Sequence, residues 1–268
     1  MLFSTISYRE ERSPRPATGI HFGAEKSTGN LAFPPGNRIL DALPQADALR
    51  LSKLSRIMTL KRGDRTAVEG RVMINVDFPV SALMSVMGLL QNGVTYEVAS
   101  VGTEGFVEVD AALECDVALR SAGCQFPGDV IRMSLRDFQD ALTWSRAFAI
   151  GVRRAVRARI FITEQTQICN LRHTVPQRLS RWLLVASERL AREEFSVTHE
   201  FLATILGVRR AGVTIALAEL QGAGAVQQRR GIIAIQDGDR LAEATCECYA
   251  ECRAAITESL GPEAASRS

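Results

Sequence analysis

Several things are missing from this chain of 268 residues, and each absence narrows what it does. No uncharged apolar run is long enough to span a bilayer. The opening residues, "MLFSTISYREERSPRP", lack the apolar core of a secretory signal. The expectation is a cytoplasmic protein with no membrane partner. Global basicity is missing too: 32 Lys and Arg face 30 Asp and Glu, for a net charge of +2. Any nucleic-acid footprint must therefore be local. With three histidines, no G-x-S-x-G, no P-loop and no paired-carboxylate motif, no enzyme is expected and no catalytic residue is assigned. The six cysteines (Cys115, Cys124, Cys169, Cys246, Cys248 and Cys252) include no C-x-x-C pair. Dispersed thiols of this kind are expected to be reduced, buried and inert. Cys246-x-Cys248-x3-Cys252 lacks a second ligand pair at zinc spacing, so no metal site is expected.

What remains is ample core material, with 46% apolar residues. The patterning predicts an α+β chain in successive blocks. Residues 1–36, rich in Ser, Pro, Gly and charge, are expected to form a mobile arm. "NRILDALPQADALRLSKLSRIMTL" reads as one short helical element. From Met58 to Ser134, short apolar runs alternate with turns such as "KRGD", "QNG" and "FPGD", the signature of a β-barrel or jelly roll. "VTYEVASVG" is its clearest strand. From Leu135 the period becomes helical, through "SLRDFQDALTWSRAFAIGVRRAVRARIFITEQTQICNLRH" without a proline. So long a helix needs a partner for its apolar stripe: Val152, Val156 and Ile160 either pack on the chain's own β domain or, the favoured reading because the run outreaches that domain, form a two-helix dimer seam. In "HTVPQRLSRWLLVASERLARE", Thr174, Pro176 and Gln177 give a helix start with a capping box. The tail from Leu241 to Leu260 is expected to be helical.

The most informative stretch is "EFLATILGVRRAGVTIALAEL". A helix-turn-helix needs a small residue at the crossing, a turn glycine and apolar residues that fix the second helix. Ala203, Gly207 and the set Leu202, Leu206, Val208, Val213 and Ala216 stand at those offsets. Thr198 is placed to cap the first helix. The second helix starts near Arg209, and its N-terminal end would enter a major groove. Arg210 is the candidate base reader, through a bidentate bond to guanine. Arg209 suits phosphate, and Thr214, one turn on, reaches base or phosphate. "QQRRGII" puts Arg229 and Arg230 at a hairpin tip, as in a phosphate-contacting wing.

On these residues the chain resembles the Crp/Fnr superfamily of bacterial transcription regulators. "VDFPVSALMSVMGLLQNGVTYEVASVGTEGFV" is similar to the β-roll, and "QICNLRHTVPQRLSRWLLVASERL" to the hinge and first helix of the DNA-binding domain. "SVTHEFLATILGVRRAGVTIALAELQGAGAVQQRRGIIAI" is similar to the winged helix-turn-helix, and "CECY" to the tails of such proteins. The resemblance implies a cyclic-nucleotide-binding-like β-roll (37–140), a dimerisation helix and hinge (141–172), and a winged helix-turn-helix with its tail (173–260). It implies a homodimer on a two-fold symmetric double-stranded DNA operator, with RNA polymerase as a further partner. By position, Arg210 falls on the family's base-reading arginine, but Ala211 replaces a frequent Glu and Ile215 replaces a further arginine.

In the sensor, a cyclic-nucleotide pocket would draw on Glu104, Gly105, Glu108, Arg120 and Ser121. An ungapped reading, however, puts Glu108 and Val109 where Gly and the ribose-binding Glu belong, which argues against cyclic AMP. No Cys precedes Cys115, so the N-terminal iron–sulfur ligands of some relatives are missing. Of His21, His173 and His199, none lies in the pocket segment. No cofactor is required by the sequence, and the effector stays open. The alternative function is a small-molecule signalling module with vestigial DNA binding.

Overall fold

The structure, a computed structural model, describes residues 33–261 apart from Asn92. The expected arm therefore lies outside the described residues up to position 32. Its last four residues are anchored: Phe33 is buried, and the Gly36 N–H donates to the Asp41 carboxylate.

The single helical element expected after the arm is three pieces. They are α1 (Arg38–Asp41), α2 (Gln45–Ser52) and strand β1 (Ser55–Leu60). Pro44 lacks an N–H, so α1 stops before it and α2 begins after it. The strands β2 (Arg65–Ala67), β3 (Asn75–Pro79), β4 (Leu83–Leu89), β5 (Thr95–Val101), β6 (Ser121–Phe126) and β7 (Gly128–Ser134) complete a two-sheet roll. One antiparallel sheet has the order β1-β7-β3 and the other β2-β6-β4-β5. Between them Phe78, Phe106, Phe138 and Phe148 stack at centroid distances of 5.6–6.1 Å. All four are essentially fully buried.

Two of those rings come from helices that close the roll, α3 (Leu135–Trp144) and α4 (Arg146–Arg172). The sequence had suggested one helix here. Ser145 divides it, because its hydroxyl oxygen accepts from the Phe148 N–H (3.1 Å) and its O–H donates to Asp47 (2.5 Å). A serine that bonds nearby backbone offers the chain an alternative to helix, and here that alternative wins. The expected seam is corrected as well. Val152 is fully buried in the roll's own core and Val156 packs against it, while Ile160 is exposed. The exposed apolar stripe of α4 runs instead through Ile150, Phe161, Ile168 and Leu171, with Ile160 beside it.

The C-terminal third holds α5 (Val175–Leu190), β8 (Glu194–Ser196), α6 (His199–Leu206), α7 (Arg210–Gly222), β9 (Val226–Arg229), β10 (Ile232–Ile235), α8 (Gly238–Glu243) and α9 (Cys248–Leu260). The expected capping box of α5, between Thr174 and Gln177, is present. The tail is two helices rather than one, and α9 lies along α4. A second core joins the two halves of the molecule. Leu83 and Phe126 of the roll pack with Trp182, Phe195 and Phe201, and Arg62 and Arg192 lie over the Phe126 ring. Among the described residues no single helix is long and apolar enough to cross a membrane.

Candidate nucleic-acid interface

The helix pair is built by local chemistry. Thr198 caps α6, its hydroxyl accepting from the Phe201 N–H at 3.1 Å. Gly207 ends α6 in the left-handed region at φ 62°, with no neighbour within 4 Å of where a Cβ would stand. Its place in the turn is thus set by backbone conformation alone. Val208 N–H then bonds back to the Ala203 carbonyl at 3.0 Å. Helices α6 and α7 meet at 104°, within the range of helix-turn-helix units. Leu202, Ala203, Leu206, Val213, Ala216, Leu217 and Leu220 are buried between them and α5. From α5, buried Arg178 donates to the Leu206 carbonyl, a cation at the C-terminal end of α6.

What α7 leaves outside is the face that can meet a ligand. Arg209 is its N-cap residue, and Arg210, Ala211, Thr214 and Ile215 are all exposed. Ile215 is 68% exposed, unusual for an isoleucine in a helix that otherwise buries its apolar side. Beside this face stands the β9–β10 hairpin. Arg229 pairs with Ile232 across a two-residue turn, Arg230–Gly231, in which both residues have positive φ (45° and 81°). That is the type I′ geometry suited to a tight hairpin, with arginine at a position usually given to Asn, Asp or Gly. The wing therefore holds Arg229 and Arg230 exposed at its tip.

Sequence reasoning missed the residue that ties these parts together. His199, the first residue of α6, contacts Thr214 Oγ1 through Nδ1 at 2.9 Å and Gln228 Nε2 through Nε2 at 2.5 Å. Gln228 donates to His199, so the His199 Nδ1–H donates to Thr214, whose hydroxyl donates to the Arg210 carbonyl (3.2 Å). The Gln228 N–H also donates to the Gln221 side chain at 3.0 Å. One imidazole thus joins the first helix, the second helix and the wing. A histidine within the first turn of a predicted helix carries no sequence signal for such a role.

The sensor residues are not brought together as a single pocket. Glu104 pairs with Arg189 of α5 at 2.6 Å, and both side chains are nearly buried. The Gly105 carbonyl accepts from Asn37. Glu108 is buried and accepts from the Asp77 N–H at 2.9 Å, while Arg132 grips the Asp77 carboxylate with two 2.7 Å bonds. Burial, and then the Asp77 charge, push the Glu108 carboxyl up to about 8. Arg120 is exposed and pairs with Glu69 (3.6 Å), whose N–H donates to Ser121. Of these five residues Glu104 alone lines a cavity of about 290 Å³ between β5, α4, α5 and α9, with Arg181, Trp182, Arg189 and Tyr249 also in its wall.

Residues 177–244 match the Crp-like helix-turn-helix domain family. Solved structures of similar fold include a putative Crp/Fnr-family transcriptional regulator from Eubacterium rectale. It shows 18% identity and a TM-score of 0.59, with 80% of this chain and 98% of that one covered. FixK2 from Bradyrhizobium japonicum matches at 16% identity and TM-score 0.60, covering 72% and 98%. The c-di-GMP-responsive global regulator CLP of Xanthomonas campestris matches at 15% and 0.59, covering 72% and 100%. No curated protein sequence matches the chain. The chain has the fold of Crp/Fnr-type transcription regulators and carries their type of helix-turn-helix domain.

Proposed function

We propose that this protein is a homodimeric, cytoplasmic transcription regulator that binds a two-fold symmetric DNA operator in a sequence-specific way. The observation that carries the reading is the joint presentation of Arg210, Thr214 and Ile215 on α7 with Arg229 and Arg230 on the adjoining wing. Arg210 reads a guanine through O6 and N7, and Arg209, Arg229 and Arg230 hold phosphates. Ala211 and Ile215 offer only apolar contact, so the neighbouring bases are read through thymine methyl groups. Thr198 shapes the interface by capping α6. The functional divisions are a sensor (37–140), a dimerisation helix and hinge (141–172), and a DNA-binding unit (173–260).

Dimerisation is supported by the α4 stripe. Ile150, Phe161, Ile168 and Leu171 stand 11, 7 and 3 residues apart, which places these exposed apolar side chains along one face of the helix. In a two-fold dimer the two α7 helices meet half-sites about one helical turn apart, ~34 Å. RNA polymerase is the natural protein partner of a regulator of this design. The ligand of the sensor is not cyclic AMP in this reading, because Val109 stands where a ribose-binding Glu belongs and cannot hydrogen-bond a ribose.

The test is a titration of labelled duplexes from the protein's own promoter region, at several salt concentrations. Wild type binds one duplex preferentially, with an affinity that falls steeply with salt. Arg210→Ala loses about 1–3 kcal/mol and relaxes preference at one base pair of each half-site. Wild type without sequence preference at moderate salt overturns the proposal. The 290 Å³ cavity favours a second reading, a small-molecule signalling module with weak DNA binding. Ligand binding seen by calorimetry together with absent DNA binding would select it.

A further inference from the structure

Four potential ligands from distant parts of the chain converge at the hinge between the long helix and the winged domain. Cys169 lies in the last turn of α4, and His173 is the residue that ends it. Cys246 lies between α8 and α9, and Cys248 opens α9. One donor atom from each of these four residues lies within 4.8 Å of every other. We propose that Cys169, His173, Cys246 and Cys248 form a structural Zn²⁺ site, a Cys3His clasp that fastens the hinge to the C-terminal helix.

Distances fit this ion. Zinc–sulfur bonds of about 2.3 Å and zinc–nitrogen bonds of about 2.0–2.1 Å in a tetrahedron give S···S edges of about 3.8 Å and S···N edges of about 3.5 Å. Cys169 Sγ and Cys246 Sγ are 3.6 Å apart, and Cys248 Sγ and His173 Nδ1 are 3.5 Å apart. The first pair is far beyond disulfide length, and both thiols are free. Cysteine and imidazole together suit zinc rather than magnesium or calcium, which take oxygen.

The surroundings are those a metal-bound histidine and thiolate need. His173 turns Nδ1 toward the thiols, and its Nε2 meets the Glu247 carboxylate at 3.3 Å. That contact fixes the tautomer with Nδ1 free to ligate. Gln165 Nε2 donates to Cys248 Sγ at 3.2 Å. Without a cation, burial pushes the thiols of Cys169, Cys246 and Cys248 up, and they stay protonated. Binding exchanges three thiol protons, released to solvent, for one divalent ion. The resulting formal charge of −1 faces the Arg181 guanidinium. A plain apolar cluster of three thiols would account for their burial. It leaves unexplained an imidazole with one nitrogen at the thiols and the other at a carboxylate.

The expectation of no metal site rested on the spacing of Cys246, Cys248 and Cys252. Cys252 lies outside the four-residue group, and Cys169, 77 residues before Cys246, and His173 take the open places. A clasp here ties the end of α4 to the start of α9 at one point, beside the hinge that leads into α5, and so restrains how the winged domain leaves the long helix.

The experiment measures metal in tag-free protein, purified without chelator, by plasma mass spectrometry. One zinc per chain is expected in wild type, in Cys115→Ser and in Cys252→Ser, and loss of it in Cys248→Ser and His173→Ala. Apo protein given cobalt should show thiolate charge-transfer bands and the visible bands of a tetrahedral ion. Glu247→Gln should keep the site but weaken zinc about 10–100-fold against a competing chelator. If the ligand variants do not fold, wild type still decides. Zinc should shield three thiols from alkylation, and a chelator should expose them. Wild type without stoichiometric zinc and without a cobalt–thiolate spectrum overturns the proposal, as does zinc retained by Cys248→Ser. None of these readouts depends on DNA binding.

Discussion

Replacing Arg189 should weaken the junction between the winged domain and the β-roll at a cost that can be worked from the contact. Arg189 projects from the last turn of α5 to the loop after β5. It meets Glu104 at 2.6 Å and donates to Ser100 Oγ at 2.7 Å. Its side chain is 9% exposed and that of Glu104 is 11% exposed, so solvent screens the pair little. Arg189→Met leaves Glu104 buried without its ion-pair partner, which costs at most about 3–5 kcal/mol, since the nearby Arg159 charge also acts on Glu104. For a chain of this size that lowers the melting temperature by roughly 6–20 °C. The double variant, Arg189→Met with Glu104→Leu, removes both charges and should recover most of the loss, because two apolar side chains of similar volume need no partner. Urea titrations of wild type, both single variants and the double variant give the coupling energy. Trp182, 8% exposed in the core shared by the two halves, reports opening of the junction by its fluorescence. A single-variant loss below about 1 kcal/mol, typical of an exposed pair, or strict additivity in the double variant, would refute the reasoning.

Arg230 holds φ 45° at the wing tip, which costs a non-glycine residue roughly 1 kcal/mol. Arg230→Asn should therefore raise the melting temperature slightly while weakening duplex binding and flattening its salt dependence by about one phosphate contact. His199→Ala should loosen the wing from α7. We expect weaker operator binding with little change in global stability, read by titration and by faster amide exchange at Gln228. Glu108, with its folded value raised from 4.5 to about 8, binds a proton that the unfolded chain has released. Its contribution to stability is therefore fully present below about 4.5 and is lost as pH rises through about 8. Glu108→Gln should gain on wild type across that window, checked by urea midpoints at several pH values.

The features legible in the sequence were those set by neighbours along the chain. Thr198 as cap, Gly207 in a left-handed turn and the Thr174–Gln177 box are each decided within four residues, and each is present. The α7 arginines and the Arg230–Gly231 hairpin followed from the same local logic. The long helix failed differently. Its buried and apolar residues fall on several sides: Phe148, Val152 and Ala155 face the roll, the polar Gln165 and Cys169 face α9, and Phe161, Ile168 and Leu171 face outward. Periodicity shows that such stripes exist but not which surface takes each, so Val152 and Val156 were assigned to the wrong one. Ser145 was invisible for a related reason, since its partner Asp47 lies 98 residues away. The group Cys169, His173, Cys246 and Cys248 could not be read because only folding brings it together.

Placement of the junction cavity restricts how any effector in it can act. Its wall includes both Glu104 and Arg189, together with residues of α4, α5 and α9. An occupant changes the pose of the winged domain only if it binds one pose better than another. One that touches α4 alone shifts nothing, because α4 belongs to the roll at its first half in either pose. An anionic occupant does have differential access: it competes with Glu104 for the Arg189 guanidinium, and so exchanges an interdomain contact for one of its own. That exchange is limited by the difference between the occupant's affinities for the two poses. The same difference bounds the change in operator affinity that such a ligand can cause through this contact, since coupling between two sites is reciprocal.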